Sequence, residues 1–595
     1  MKSLKLNVFE IISILWIATA ITGVILAEIH AFHPFLLLAA IISLCGYTWS
    51  KYQNRSLEIE KNDKIMLLTL SLTAGLALFL SLTTAPTIFG GRDEGSYSNA
   101  AIQLVKNHSL VADSEIIKQF FSIYGAGKAL NFPGFYYSTD GNLHSQFLPG
   151  YISWLGINYA FGKLAGLGFA NFLPFITFIF SFYSIIKKFS PRINIHTKPL
   201  AALLPYLPAI GTLLLISFFP YTLFYKFTLS EIYFAALAWF ALYIIIRYLE
   251  EKSTQLLYII ALPMTLMIFT RIETIALIAT LFIILFIKNY KKIISLQGQI
   301  LFSILGLALF LAIFLHANFF IDTFKNLADP FLKKDLLNLK KSSDDLENFY
   351  ILKIFLRYNL LPIFILGISY CFVLIKKKQR LLLVPLIFFL PTLIYLFDAN
   401  ISLDHPWMLR RFIFSIIPLF CLYTIFGITI LAKKFNLHYY FILPLFAIAI
   451  AYNTTLIFPN KNLTKNFLLY SQNKTLLHQL TPIASQFKKN DLILTSQKAS
   501  GNGWAMMSEP FRTIFEKQAV YFFNPENYEK IEKNKFENIY LIVSDNELPL
   551  YEKLNKKQVS QYSLNNTVIV PSKNPLRKPD TIDFPTKGYI FKLAD

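Results

Sequence analysis

The stretch "GGRDEGSYSNAAIQLVKNHSL" (residues 90–110) follows an apolar run that ends at Ala85. Two glycines permit a tight turn. Arg92, Asp93 and Glu94 then stand side by side, and apolar Ala101, Leu104 and Val105 follow at helical spacing. Acids near a helix N-terminus suit the helix dipole. The stretch therefore predicts a helix that starts where the chain leaves an apolar medium. On one reading it is a plain helix cap at a membrane surface, with Arg92 paired to Glu94. On the other, a carboxylate is held there to take a proton from a substrate hydroxyl. What decides is the side of the membrane it faces, and what else faces that way.

The chain around it has 595 residues, of which 55% are hydrophobic and only 15% charged. A soluble chain carries charge on about a quarter of its residues, so the composition points to a polytopic helical membrane protein. Apolar stretches near the length of a bilayer crossing fall at 8–27, 32–49, 65–85, 167–187, 199–219, 230–249, 256–270, 273–288, 299–318, 351–375, 381–398, 411–431 and 439–458. The net charge of +21 does not argue for nucleic acid, because the basic residues sit in short loops between spans, where they set topology. Cys45, Cys371 and Cys421 lie in apolar runs without C-x-x-C spacing and read as packing residues. The first apolar run lacks a small-residue cleavage site and reads as a retained span.

Orientation follows from Lys and Arg. Basic loops such as "KKFSPRINIHTK", "KNYKK" and "KKKQR" are expected on the cytoplasmic side, with the N-terminus. Residues 90–110 then face outward, as do the loops near 220–230, 271–272, 319–350 and 399–410 and everything after about 459. "FLPGYISWLGINYAF" (147–161) is too short to fit the alternation as a full span, and it predicts a partial, re-entrant or interfacial helix. The tail has short β-rich runs, "DLILTS", "AVYFF", "NIYLIVS" and "TVIVPS". It predicts a small soluble α/β domain at 460–595.

Further polar positions punctuate the outward side. "YYSTDGNLHSQFLPGYISW" (136–154) has a D-G turn signal, then His144 and Gln146 before a Pro-Gly start, and an ordinary loop is its bland reading. Lys226 and Glu231 flank the start of one span, and Arg271 and Glu273 separate two others. Ionisable groups there are either surface markers or parts of a site. In "DHPWMLRRFIFSIIPLF" (404–420), Arg410 and Arg411 sit outside against the usual charge bias. Either Asp404 or Asp398 compensates them, or a phosphate does, since Arg makes bidentate contacts with phosphate oxygens. "ASGNGW" (499–504) fits no Walker or Rossmann pattern and reads as a loop, and no zinc spacing is present.

The order of these features resembles the GT-C superfamily of polytopic glycosyltransferases, closest in look to the bacterial branch of aminoarabinose, mannosyl and lipopolysaccharide-core transferases. The resemblance runs over roughly residues 65–430 and is carried by "GRDEGSYSNAA", "DGNLHSQFLPG", "LSEIYFAALAW", "TRIE" and "RRFIFSIIP". It departs at Gln146, where relatives often carry a lysine for the donor phosphate. With the spans and the tail read above, the resemblance implies an all-α polytopic membrane protein of about thirteen transmembrane helices, followed by a small C-terminal soluble α/β domain that itself resembles no domain of the family. Residues 1–64 would be N-terminal transmembrane helices and 65–459 a catalytic region with an outward loop at 86–147. It further implies a polyprenyl-phosphate sugar donor, a glycolipid, glycan or protein acceptor, and a place in the bacterial cytoplasmic (inner) membrane, with the active site and tail extracytoplasmic. Asp93 would be the general base, with Glu94 beside it. Arg92, His144, Gln146, Lys226, Glu231, Arg271, Glu273, Arg410 and Arg411 would bind substrate, and transfer would invert the anomeric carbon. A divalent cation stays open, since some relatives use one and others do not. The alternative from another class is a transporter or flippase of lipid-linked glycans, although no inverted repeat is visible.

Reporter fusions test the orientation. Fusions at Asn460 and Lys378 are expected to give opposite signals, and equal signals would remove the outward site.

Overall fold

The computed structural model describes residues 5–52, 64–193, 201–293, 295–332, 349–397, 404–435, 438–457 and 466–594. Six helices are long and apolar enough to cross a membrane: Val8–Glu28, Lys64–Thr83, Phe172–Ile193, Ser230–Glu251, Leu296–Leu315 and Ile416–Lys434. Two bent pairs bring the number up to eight if each is one crossing: Leu204–Ser217 with Phe219–Tyr225 (65°) and Tyr350–Arg357 with Leu361–Lys376 (113°). The other expected spans carry shorter apolar helices of 10–17 residues. By length and composition, then, the described residues support six to eight crossings where thirteen were expected. Two of the short helices contain a proline, Pro263 and Pro444, which removes a backbone donor and crowds the preceding turn while the helix continues through it.

We label the helices that position the site: α1 (Val8–Glu28), α2 (Pro34–Tyr52), α3 (Lys64–Thr83), α4 (Asp93–Asn107), α5 (Glu115–Tyr124), α6 (Pro149–Phe169), α7 (Phe172–Phe189), α8 (Ser230–Glu251) and α9 (Gln255–Ile268). Helix α1 opens with a capping box, in which Asn7 and Glu10 satisfy each other's backbone amides. Helix α8 is the hub. It is apolar on every side, 94% of its spanning window is buried, and it packs against α7 and α9. A helix that is hydrophobic all round belongs inside a bundle.

Helix α4 begins at Asp93, three residues before the expected start at Ser96, and ends on His108 in the left-handed conformation. Helix α6 covers the short apolar segment. Pro149 opens it at a position where its missing N–H costs nothing, and Lys163 breaks it with φ 49° and ψ −138°. Its start is tied to the turn after α9, because the Gly150 amide donates to the Phe269 carbonyl at 2.6 Å. A side chain at Gly150 would collide with Phe269 and Thr270.

Between α4 and α6 lies a small antiparallel sheet of order β1-β4-β3-β2, made of Val111–Ala112 (β1), Gly127–Lys128 (β2), Phe135–Tyr137 (β3) and Leu143–Ser145 (β4). The D-G signal is the β3–β4 turn, with Gly141 at φ 84°. The tail forms a mixed five-stranded sheet of order β6-β5-β7-β9-β8. Strands β5 (Leu492–Thr495), β6 (Gln518–Tyr521) and β7 (Ile539–Ser544) are parallel, and β8 (Lys556–Ile569) and β9 (Thr581–Leu593) form a long antiparallel hairpin. The four β-rich runs fall on β5 to β8. The expected boundary at 460 lies outside the described residues.

The tail is fastened to the α4 region. Gly90 and Met506 form a two-bond β-bridge. Thr513 donates to Asn99 on α4 at 2.7 Å. His405 and Ser572 form a second bridge. Gly95 lets the segment before α4, which carries the Gly90 bridge, lie against the first turn of α4, because a Cβ there would lie 1.7 Å from the Phe89 carbonyl oxygen. Gly95→Ala is expected to destabilise the protein by about 1–3 kcal/mol or more, the cost of overpacking. Gly306→Ala, which meets nothing within 4 Å, should leave thermal unfolding in detergent unchanged or slightly raised. Equal midpoints for the two variants would show that α4 does not need this close approach.

Candidate functional site

Six ionisable side chains meet at one end of the bundle. Asp93, at the first position of α4, accepts from Arg410 at 2.6 Å. Arg410 also faces Glu231, in the first turn of α8, at 3.7 Å. Glu231 lies 3.1 Å from Arg271, and Arg271 lies 2.8 Å from Glu273. Arg411 closes the series at 3.3 Å from Glu273. The order is acid, base, acid, base, acid, base. Opposite charges alternate because each carboxylate lowers the cost of burying the guanidiniums beside it, and an unpaired buried charge would be expensive.

Local sequence explains how the ladder is built. Glu231 is presented by the α8 N-terminus, whose dipole favours an acid. Arg271 and Glu273 sit in the turn between α9 and the next helix, where Gly150 packs. Arg410 and Arg411 form a short helical turn (Arg410–Ile413) just before the Ile416–Lys434 span. Tyr395 donates to Glu273 at 2.6 Å, and Arg271 donates to the Ser230 hydroxyl at 3.2 Å.

The ladder is not uniformly enclosed. Glu231 is 4% exposed, whereas the Asp93 side chain is 37% exposed, so Asp93 is the carboxylate a ligand reaches first. Burial pushes the Asp93 carboxyl up, but the charge and hydrogen bond of Arg410 pull harder and hold it below its ordinary value. Glu94 behaves in the opposite way. It is buried, its Oε1 has no hydrogen-bond partner among the described residues, and burial raises it to about 6 against the pull of Arg92.

Arg92 does not pair with Glu94. Its guanidinium lies over Trp407 at 4.1 Å and over Trp504 at 4.8 Å, and it reaches Asp404 at 3.4 Å. Asp404 therefore balances Arg92, while Arg410 turns to Asp93. Asp398 lies outside the described residues. Trp504 belongs to "ASGNGW", so this tail loop forms one wall beside the acidic pair. Trp407, Trp504 and Tyr395 were not singled out from the sequence.

Besides Arg92 and Glu94, three expected site residues are not brought into the ladder. Lys226 donates to the Leu468 and Tyr470 carbonyls and ties the segment before α8 to the start of the tail. His144 stacks on Tyr136 across the β3–β4 pair at 5.3 Å. Gln146 is exposed, and its amide donates to the Gly134 carbonyl at 3.0 Å. Among the described residues, no group of three His, Cys, Asp or Glu side chains could hold a metal ion.

Bundle, ladder and tail together define a predominantly helical, membrane-embedded protein with a charged cluster at one end of its bundle and a sheet domain packed beside it. No protein-family model matches the chain, and no curated protein matches it.

Glu94 generates a pH prediction. Its carboxyl rises from 4.5 to about 6 on folding. Between those values the folded chain holds a proton that the unfolded chain has released, so stability falls as pH rises through the window. The loss is about 2 kcal/mol and is complete above pH 6. Glu94→Gln is therefore expected to unfold at a higher temperature than the parent at pH 7.5, and at the same temperature near pH 4.5. A constant difference at both pH values would show that Glu94 does not hold the proton.

Proposed function

We propose that the protein is a membrane glycosyltransferase that moves a sugar from a polyprenyl-phosphate donor to an acceptor hydroxyl at the outer face of the bacterial cytoplasmic membrane. The observation that carries this reading is the ladder, in which the most accessible carboxylate, Asp93, is paired with an arginine at the membrane end of the bundle. Ionisable groups inside a helical bundle are expensive and mark functional sites by default. A ladder that served packing alone would bury all six groups alike.

The chemistry follows from the pairing. The donor phosphate and Asp93 compete for Arg410. When the phosphate is seated, Arg410 turns to it, with Arg411 beside it, and Asp93 loses the partner that keeps its carboxyl acidic. Asp93 then accepts the proton of the acceptor hydroxyl. The acceptor oxygen bonds to the anomeric carbon, and the bond from that carbon to the phosphate oxygen breaks. The released polyprenyl phosphate takes up negative charge, which Arg410 and Arg411 stabilise. One displacement inverts the anomeric carbon. Glu231 and Glu273 keep the arginines aligned through Arg271. The outward orientation suits a donor that arrives through the bilayer.

The test is turnover of a purified polyprenyl-phosphate sugar, read as release of polyprenyl phosphate with transfer to an acceptor. Asp93→Asn is expected to reduce turnover by roughly 100-fold or more with donor binding retained or tightened, because the phosphate no longer competes with a carboxylate for Arg410. Arg410→Ala or Arg411→Ala should weaken donor binding by about 1.5–3 kcal/mol. A near-normal rate for Asp93→Asn removes the base. Movement of the intact glycolipid across a bilayer without bond cleavage would make the protein a flippase.

A further inference from the structure

The tail loop beside the acidic pair carries a tryptophan that packing does not explain. Of the two indoles that flank Arg92, Trp407 is 5% exposed and meets the rings of Phe224 and Phe227 edge-on. Trp504 is 48% exposed. The Arg92 guanidinium lies over its ring at 4.8 Å, and among the described residues no other ring or charged group is placed against it. Arg92 covers one side of the indole, so the surface left open is the other side.

The loop that carries this indole is fixed. The Asn502 side-chain oxygen accepts from the Trp504 amide at 3.0 Å. Ser500 donates to the Ala505 carbonyl at 2.7 Å, and Thr586 on β9 donates to the Ser500 carbonyl at 3.3 Å. Met506 is bridged to Gly90. Gly91 lies directly against the loop, since a Cβ there would be 2.8 Å from the Gly503 carbonyl oxygen and 3.2 Å from the Trp504 Cα. Asp93 follows two residues later, so the open indole face is held beside the most exposed carboxylate of the ladder.

Neutral polar groups rim that face. The Gln497 amide packs against Gly503, where a Cβ would lie 3.2 Å from its nitrogen. Gln497 and Asn502 are both half-buried. Neither the Gln497 amide nor the Asn502 side-chain nitrogen has a hydrogen-bond partner among the described residues. An apolar face with a few convergent polar groups is the usual form of a small-ligand site. A pyranose ring matches this one, because one of its faces is a surface of C–H groups and its hydroxyls, each donor and acceptor, project around the rim. A cationic ligand is disfavoured, since Arg92 already lies on the opposite face of the same ring. A plain hydrocarbon chain would leave both amides unpaired.

We propose that Trp504, Gln497 and Asn502 form a subsite for a neutral saccharide, which lies with its C–H face on the open side of the indole and its hydroxyls on the two amides. The subsite deepens the transferase reading and rests on it for one point, that the bound sugar is the acceptor and presents a hydroxyl to Asp93. Trp504 holds the acceptor in line and exchanges no proton with it. Binding itself does not require transfer.

The test separates the two. Full-length protein in detergent, without donor, is applied to an array of immobilised neutral oligosaccharides. The parent is expected to bind members of the array, and Trp504→Ala to weaken that binding about tenfold or more. Trp504→Phe, which keeps an aromatic face, should retain most of it. Asn502→Asp keeps the oxygen that accepts from the Trp504 amide and removes the N–H donors. Combined with Gln497→Ala, it should weaken binding at an unchanged unfolding midpoint. Trp49→Ala, which removes an exposed tryptophan on α2, should change nothing. With a bound oligosaccharide as acceptor, Trp504→Ala should raise its KM about tenfold with a smaller change in kcat. No binding by the parent, full binding by Trp504→Ala or an equal loss in Trp49→Ala would overturn the inference. Binding that needs Trp504, without release of polyprenyl phosphate from any polyprenyl-phosphate sugar, would keep the subsite and remove the transferase. Release with a peptide acceptor, in a protein that binds no saccharide, would do the reverse.

Discussion

Glu231 held between Arg271 and Arg410 is the contact on which the arrangement depends. It joins three parts of the chain that are distant in sequence: the start of α8, the turn after α9 and the turn before the Ile416–Lys434 span. Truncating Glu231 would leave two buried guanidiniums facing each other without a shared counter-charge, and breaking a buried pair costs far more than the intact pair contributes. The bundle end is set by this electrostatic constraint. The apolar contacts below it in α8 are numerous and interchangeable, whereas the order of charges in the ladder is not.

The ladder was legible in the sequence to an unusual degree. Asp93, Glu231, Arg271, Glu273, Arg410 and Arg411 all stand at the edge of apolar runs, where an ionisable residue is conspicuous because burying it is costly. Their pairing was not legible. One of the two readings of the sequence paired Arg92 with Glu94, but Arg92 lies between two tryptophans and Glu94 turns inward. Lys226, His144 and Gln146 stood out for the same local polarity, yet each is accounted for by neighbouring carbonyls, a ring or solvent. Local polarity marks a residue as unusual without saying what it faces.

The residues missed share a cause. Trp407, Trp504 and Tyr395 are aromatic residues in a chain where 16% of residues are aromatic, so they have no contrast with their surroundings. The docking of the tail was invisible for another reason. The Gly90–Met506 and His405–Ser572 bridges are made by backbone, which every sequence carries. Strand β9 was overlooked because Pro585 and Lys587 interrupt its alternation, although β8 pairs with it through both. Among the described residues each of the thirteen apolar stretches carries a helix, but five of these helices are short, because an apolar run does not say where a helix ends.

The bridge between Gly90 and Met506 also sets an order of manufacture. Its two halves are separated by roughly four hundred residues, so at ribosomal speed the first waits on the order of half a minute for the second. For roughly the first three quarters of that interval Arg92 has no Trp407 to lie against and Asp93 has no Arg410, and Trp504 comes only at its end. The acidic pair spends its first moments as an ordinary solvated helix start. Its surroundings are complete only when Trp504 has been made, so a product cut short before the tail would carry the apolar helices described above and still lack the loop that stands beside Arg92 and the acidic pair.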